Sequence, residues 1–455
     1  MTYALLTLLC LITVCLGARE ADAKDASFEL DAEQSVLLGR EVLAAGKPEI
    51  ALALARALID RHAQDPDALV LMAAALQHLG NYNEARNVAR SAYSASKTDQ
   101  QAFESAMLVG RSDFHRDAYT RSQWWLRRAA QAAPDTEARR IAERNFKHVR
   151  RVNPLRLQFR IGVRSSSNIN DGSSTEEIEL FGLPFRLLGT SRALSGTELA
   201  VDADLRYRIA QSERSETALT TELETRSYRL SSEAQRQAPD ASGSDFNFQR
   251  VEVGALHRFA RAEGNSVYEV AGAVGLTWYG GEKLSDYARL RLSQSFQLRP
   301  STGLRVTLST QKQWRQDSAA RSVFSYGLQG EIRHHLKTGA RLIFLGSVRR
   351  TEADAAYIQN TALRAQLIYR MAEPIFGVRF SSSVGLEQRR YPADGFQPSG
   401  RRDLRGKLGI SASFENIEYM GFTPSWHVEF SQTDSNVAFY EQESVDMFLG
   451  INSSF

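Results

Sequence analysis

The chain has only two cysteines, Cys10 and Cys15, both near its N-terminus. The rest of the protein therefore has no thiol, which leaves no disulfide framework and no cysteine-held metal. Long apolar runs are equally scarce. Beyond "ALLTLLCLITVCLGA" the sequence offers no run of about 18 apolar residues, so no helical membrane span is visible. An excess of one charge is missing too: 56 Lys and Arg face 53 Asp and Glu, a net charge of +3. A dedicated nucleic-acid binder carries a basic excess, and that class is set aside.

The apolar run itself, from Ala4 to about Ala18, is short for a membrane span and is followed by Ala21-Asp22-Ala23, a small-x-small cleavage pattern. It reads as a secretory signal peptide over residues 1–23, cleaved after Ala23, although its first residues carry no Lys or Arg. An uncleaved anchor is the alternative. Neither cysteine follows the small-residue pair that a lipoprotein signal uses. An exported chain left without cysteine suits the bacterial envelope.

At 455 residues two domains are expected, and the chain changes character near Pro154. Residues 28–150 are rich in Ala, Leu, Arg and Glu at helical spacing. Gly46 and Gly80 are 34 residues apart, as are Ala51 and Ala85, and Ala55 and Ala89; Pro66 and Pro134 stand at twice that interval. Thirty-four is the tetratricopeptide (TPR) period. Small residues let paired helices approach closely, and a glycine closes the first helix of each pair. Three or four units are expected, the last degraded around "SQWWLRRAAQAAPD". Such a solenoid presents a concave surface to a peptide or protein; an ordinary helical bundle is the alternative.

From "RRVNPLRLQFRIGV" onward, alternation takes over. Leu155, Leu157, Phe159, Ile161 and Val163 alternate with polar or small residues, as do Leu199, Val201, Ala203, Leu205, Tyr207 and Ile209. Repeated along residues 154–455, the pattern predicts about fourteen strands. A soluble sandwich or propeller and a transmembrane antiparallel β-barrel both accommodate such strands. Three features favour the barrel. Glu252, Arg289, Arg291 and Arg405 lie on the face opposite the apolar one, as a watery lumen allows. Phe259, Tyr268, Trp278, Tyr369 and Phe455 stand near strand ends, as interface girdles require. Tight connections such as "RAEGNS", "RPST", "KTG" and "MAEP" fall at every other position, between long ones such as "SSEAQRQAPDASGSD". An even strand count puts both barrel ends on the side of the tight turns, so the helical domain is expected in the periplasm. The final run "ESVDMFLGINSSF" places Leu449, Ile451 and terminal Phe455 in the pattern of a C-terminal signal read by the barrel assembly machinery.

A signal peptide, a TPR-like domain and a barrel of this size together resemble the surface lipoprotein assembly modifiers, the outer-membrane component of the type eleven secretion system. "NPLRLQFRIGVRSSSNINDGS" is similar to that family's first strand and Ser/Asn-rich loop, and "ELFGLPFRLLGTSRALSG" to the segment leading into the second. The resemblance implies an outer-membrane translocon of a Gram-negative cell. Its cargo would be lipoproteins or soluble proteins, typically haem- or metal-acquisition proteins. Periplasmic chaperones, the barrel assembly machinery and outer-membrane lipid would be its other partners. No cofactor or catalytic residue is implied.

Candidates for chemistry are few. His334 and His335 are neighbours on a strand, so they point to opposite faces and do not chelate one ion. No spaced nucleophile and base stand out. Trp124-Trp125 is a candidate cargo surface, against a plain reading with one ring in the core. The pairs Arg349-Arg350, Arg389-Arg390 and Arg401-Arg402 either grip anionic lipopolysaccharide or form a solvated rim. The rival functions are an exopolysaccharide exporter, whose lumen would be aromatic and acidic, and a porin or adhesin with an accessory domain.

Overall fold

The computed structural model describes residues 30–180, 183–261, 266–397, 399–417, 419 and 422–453. The expected signal peptide and Phe455 lie outside them. The chain divides into two compact units, one ending at Arg116 and the other running from Asp117 to Phe455.

The first unit holds α1 (Ala32–Ala44), α2 (Pro48–Arg61), α3 (Pro66–His78), α4 (Tyr82–Ala95) and α5 (Asp99–His115). Three of the five starts carry side-chain caps. Asp31 accepts from the Gln34 amide in a capping box, and Asp65 and Thr98 cap α3 and α5. Gly46 and Gly80 follow α1 and α3 at φ +75° and +77°, as the 34-residue period predicts. The third such position is Asp117 at φ 55°, three residues late because α5 is 17 residues long. Asp tolerates the left-handed region better than most side chains, and this lengthening blurs the repeat in the sequence. The repeated alanines Ala51, Ala55, Ala85 and Ala89 are all fully buried, the first three beside Leu71 and Leu76, so the helix axes come close. One carboxylate is buried with them. Asp113 lies between Arg86 at 2.8 Å and Arg116 at 3.0 Å, which compensates its charge.

The second unit begins with α6 (Tyr119–Gln131) and α7 (Thr136–Val152), which pack on each other and bring the TPR-like region to seven helices among the described residues. The barrel follows: β1 (Leu155–Ser166), then β2 (Glu177–Leu180) and β3 (Leu183–Arg186) as a hairpin within the first loop, then β4 (Gly196–Gln211), β5 (Ser215–Leu230), β6 (Phe248–Ala260), β7 (Ser266–Tyr279), β8 (Glu282–Arg299), β9 (Thr302–Arg315), β10 (Val323–His335), β11 (Arg341–Ala353), β12 (Asn360–Arg370), β13 (Val378–Tyr391), β14 (Arg401–Phe414), β15 (Phe422–Ser435) and β16 (Gln442–Ser453). β1 and β4–β16 form a closed antiparallel barrel of fourteen strands, with β16 returning to β1. Closure leaves no free sheet edge in lipid. A short helix, α8 (Ser232–Gln237), lies in the loop after β5.

Alternation places one face outward on every strand. Leu157, Phe159, Ile161 and Val163 of β1 stand opposite Leu205, Ala203, Val201 and Leu199 of β4. Leu290, Leu292 and Leu308 continue the band, and these large side chains are about half exposed. A surface so continuously apolar belongs in a bilayer rather than in water. With an even number of strands, both barrel termini lie at one end, here called the terminal end; the other is the loop end. Connection length does not follow the simple alternation expected. Residues 167–195 and 231–247 make long loops at the loop end, but β7 and β8 are joined there by residues 280–281 alone. Gly280 and Gly281, at φ 59° and 88°, form the two-residue turn that only such residues enter without strain.

Candidate functional site

The inner wall is charged and hydrogen-bonded. Glu252 is 2 % exposed; it accepts from Tyr287 Oη at 2.6 Å and pairs with Arg289. Arg226 reaches Asp202 at 2.7 Å and Glu224 at 3.0 Å, and Arg250 reaches Glu224 at 2.8 Å. Glu269 sits between Arg258 at 2.6 Å and Arg305 at 2.7 Å. All but the Arg226–Glu224 pair, which lies within β5, join different strands, through side chains that alternation turns away from lipid. Their carboxylates are concentrated on β4–β6, whereas β8–β12 carry mostly arginine.

The seam between first and last strands differs from the rest of the wall. β1 pairs with β4 along Leu155–Ser166. With β16 it pairs only over Ile161–Ser166 among the described residues. Inside the seam, Gly162 faces Gly450, and the Phe448 ring lies over both. A Cβ at Gly162 would collide with that ring and lie 2.7 Å from the Leu449 carbonyl oxygen.

Both ends of this seam are strapped. At the terminal end, α6–α7 holds strands on either side. Asn153, 3 % exposed, donates through Nδ2 to Thr120 and Gln123 of α6 at 3.2 and 3.0 Å, and its Oδ1 accepts from the Leu155 amide at 3.0 Å. Arg208 of β4 donates to the Arg151 and Val152 carbonyls at 3.2 and 2.6 Å, satisfying the end of α7. Across the seam, the Arg127 guanidinium lies 4.6 Å from the Phe422 ring of β15 and 4.8 Å from Phe146 of α7. At the loop end, the first loop crosses to the far side. The Ser174 amide donates to the Glu441 carbonyl at 2.9 Å, and Gln442 Nε2 donates to the Asp171 carbonyl. Asn168 and Asn170 fold the loop through bonds to Gly172, Thr190 and Arg192. Leu194 then buries itself with Ala234, Ala238 and Phe246 of the next long loop.

A second cluster organises the loop end. Arg401, 7 % exposed, lies 3.7 Å from the Tyr391 ring and 3.5 Å from the Tyr440 ring, and pairs with Asp394 and Asp403 at 3.2 Å each. Burial pushes the Tyr440 phenol up, against the opposing pull of Arg401.

Of the residues singled out in the sequence, Leu449 and Ile451 face outward at the seam, opposite Val163 and Ile161, while Phe455 lies outside the described residues. Trp125 is buried and Trp124 is 46 % exposed. The two rings meet edge to face at 5.2 Å, with Arg128 over Trp124 at 3.8 Å. Pairing registers set His334 outward beside Thr302 and His335 inward. Among the described residues no group of three or more His, Cys, Asp or Glu is placed to hold a metal. The basic pairs split across the wall, so that Arg349, Arg389 and Arg401 turn inward and Arg350, Arg390 and Arg402 outward. The Gly162–Phe448 contact and the Asn153 strap have no sequence signal beyond a glycine within alternation and an Asn-Pro pair.

A family model described as "Surface lipoprotein assembly modifier" matches residues 156–455. Comparison with curated proteins found no match. Among solved structures, OccAB3 of Acinetobacter baumannii aligns at TM-score 0.34 and 6 % identity, over 66 % of this chain and 99 % of that one. A bacterial polysaccharide outer membrane secretin aligns at 0.33 and 6 %, over 65 % and 98 %. On the helical part, the TPR2B domain of yeast Sti1 in its pHsp70 complex aligns at 0.24 and 16 %, over 26 % and 96 %. Likenesses this loose say nothing about activity. The family match spans well over half of the chain and coincides with the closed, outwardly apolar barrel: this is an outer-membrane β-barrel protein belonging to the surface lipoprotein assembly modifier family.

Proposed function

We propose that the barrel moves lipoproteins or soluble proteins from the periplasm to the cell surface, without catalysing a reaction. The carrying observation is a family-matched barrel with a polar inner wall, preceded in the chain by TPR-like helices, a repeat type that grips peptides. In this reading the helical domain, residues 28–150, lies in the periplasm and receives the client or its chaperone, with the exposed Trp124, backed by the buried Trp125, as part of the receiving surface. The short seam and the strap above it mark where the wall would open if cargo left sideways. The arginine-rich wall on β8–β12 departs from the aromatic and acidic lining expected for sugar export, and the carboxylates of β4–β6 are taken up in ion pairs.

The test is surface display. A lipoprotein encoded beside this gene, expressed with the full chain, is expected to become sensitive to protease added to intact cells. Equal sensitivity with and without the chain would reject the proposal.

Orientation has its own expected outcome. Cysteine introduced at Ser174, in the first loop, should react with an impermeant maleimide in intact cells. Cysteine at Thr338, exposed in the turn between β10 and β11, should react only after the outer membrane is permeabilised. The reverse pattern would put the helical domain outside the cell.

A further inference from the structure

The inner wall between β7 and β11 holds a cavity of about 460 Å³, lined by Glu269, Arg289, Arg291, Arg305, Arg333 and Arg349 among others. Most of its charges are already matched. Glu269 is shared by Arg258 and Arg305, Glu331 pairs with Arg333, and Arg289 pairs with Glu252. Arg291 and Arg349 have no carboxylate within ion-pair distance among the described residues. Both are exposed to the lumen. The registers put them in one row across the wall: Arg291 faces Ser309, Ser309 faces Gly327, and Gly327 faces Arg349. Between the two guanidinium-bearing strands the floor is therefore one hydroxyl and one bare backbone, which is what makes the recess.

We propose that this recess binds anions, and that its ligand is an acidic segment of the transported protein. This rests on the translocon reading above. The geometry narrows the ligand. Three strand spacings separate the two arginine backbones, roughly 14 Å at about 4.8 Å each. An extended chain rises about 3.3 Å per residue, so carboxylates about four residues apart span the same distance and share one face. Guanidinium groups bind carboxylates through paired N–H donors. Because the low-dielectric barrel wall focuses the field of unmatched charge into the lumen, attraction there exceeds that of the same arginines on an open surface. Lipid phosphate is the poorer candidate, since both arginines turn away from the outward apolar face.

The probe is a rhodamine-labelled, otherwise Gly/Ser peptide with two glutamates four residues apart, titrated by fluorescence polarisation against the full chain in detergent micelles. It should bind more tightly at low salt than at high salt. The double variant R291Q/R349Q should weaken binding roughly tenfold or more, since two charge-assisted contacts are lost. Its fold should persist, because neither arginine is paired, and heat-modifiable gel mobility checks this. A peptide with lysines in place of the glutamates should not bind. Unchanged glutamate-peptide binding by the folded double variant, or equal binding of the lysine peptide, would overturn the site. In cells, the double variant should lower client display. If display is undiminished while peptide binding is lost, the assignment to the client fails and the translocon reading stands. If the wild-type chain gives no display above a deletion strain, the translocon reading fails, whatever the peptide does.

Discussion

Replacing Gly162 by valine should deprive most of the chain of its folded, heat-modifiable form. The new Cβ would collide with the Phe448 ring and lie 2.7 Å from the Leu449 carbonyl oxygen. The ring can turn away, but the carbonyl belongs to the pairing that closes the barrel, in a seam that among the described residues pairs over Ile161–Ser166 alone. Overpacking of this kind costs about 3 kcal/mol at the upper end of its usual range, and here it acts at the closure. The measurement is the fraction of protein showing the shifted band in outer-membrane fractions, together with the temperature at which the shift is lost. Adding Phe448→Ala should restore only part of the loss, because the backbone contact remains. Gly330→Ala is the control, since a Cβ there meets nothing within 4 Å. A normal yield of folded Gly162→Val barrel would mean that the seam re-registers freely.

The second large effect is expected at the loop end. Arg401→Met keeps the length of the side chain but leaves Asp394, also nearly buried, without its cation. Breaking one partner of a buried pair costs about 3–5 kcal/mol. That loss should fall on the loops, residues 392–400 and 436–441, rather than on the strand ladder. Limited proteolysis of the purified protein in micelles should cut these loops much faster in the variant, while the heat-modifiable band stays. Arg401→Lys should not rescue, since an ammonium cannot lie between the Tyr391 and Tyr440 rings while reaching both Asp394 and Asp403. Unchanged cleavage would show that the loops hold together without the clamp. Arg401 also shows why a basic pair is a poor guide on its own. In sequence Arg401-Arg402 resembles a surface patch for anionic lipid; in the fold, one of the two is the loop end's internal cation.

The barrel was legible in the sequence because alternation is a local property. Leu157, Phe159, Ile161 and Val163 turn to one face of an extended strand whatever lies beside them. The same holds for the opposed faces of His334 and His335. The 34-residue interval from Gly46 to Gly80 was legible for a similar reason: each glycine closes its own helix. Where a third closing glycine would stand there is Asp117, displaced by a longer α5, and the repeat fades there.

Alternation and helix period by themselves determined the class of the main elements, the approximate number of barrel strands, the polarity of the wall and the presence of a TPR-like region before a membrane barrel; the β2–β3 hairpin and α8 were not legible. Family membership followed from the same residues. Only the tertiary structure decided how far β1 pairs with β16, that the Phe448 ring covers Gly162, that α6–α7 straps β4 and β15 across the seam, and that Arg289 is neutralised while Arg291 is not. Those outcomes depend on register and on partners far away in the chain. A single-residue slip in register exchanges the faces of a strand, and a charge is free or paired according to which neighbouring strand presents its counter-ion. No local pattern carries that information.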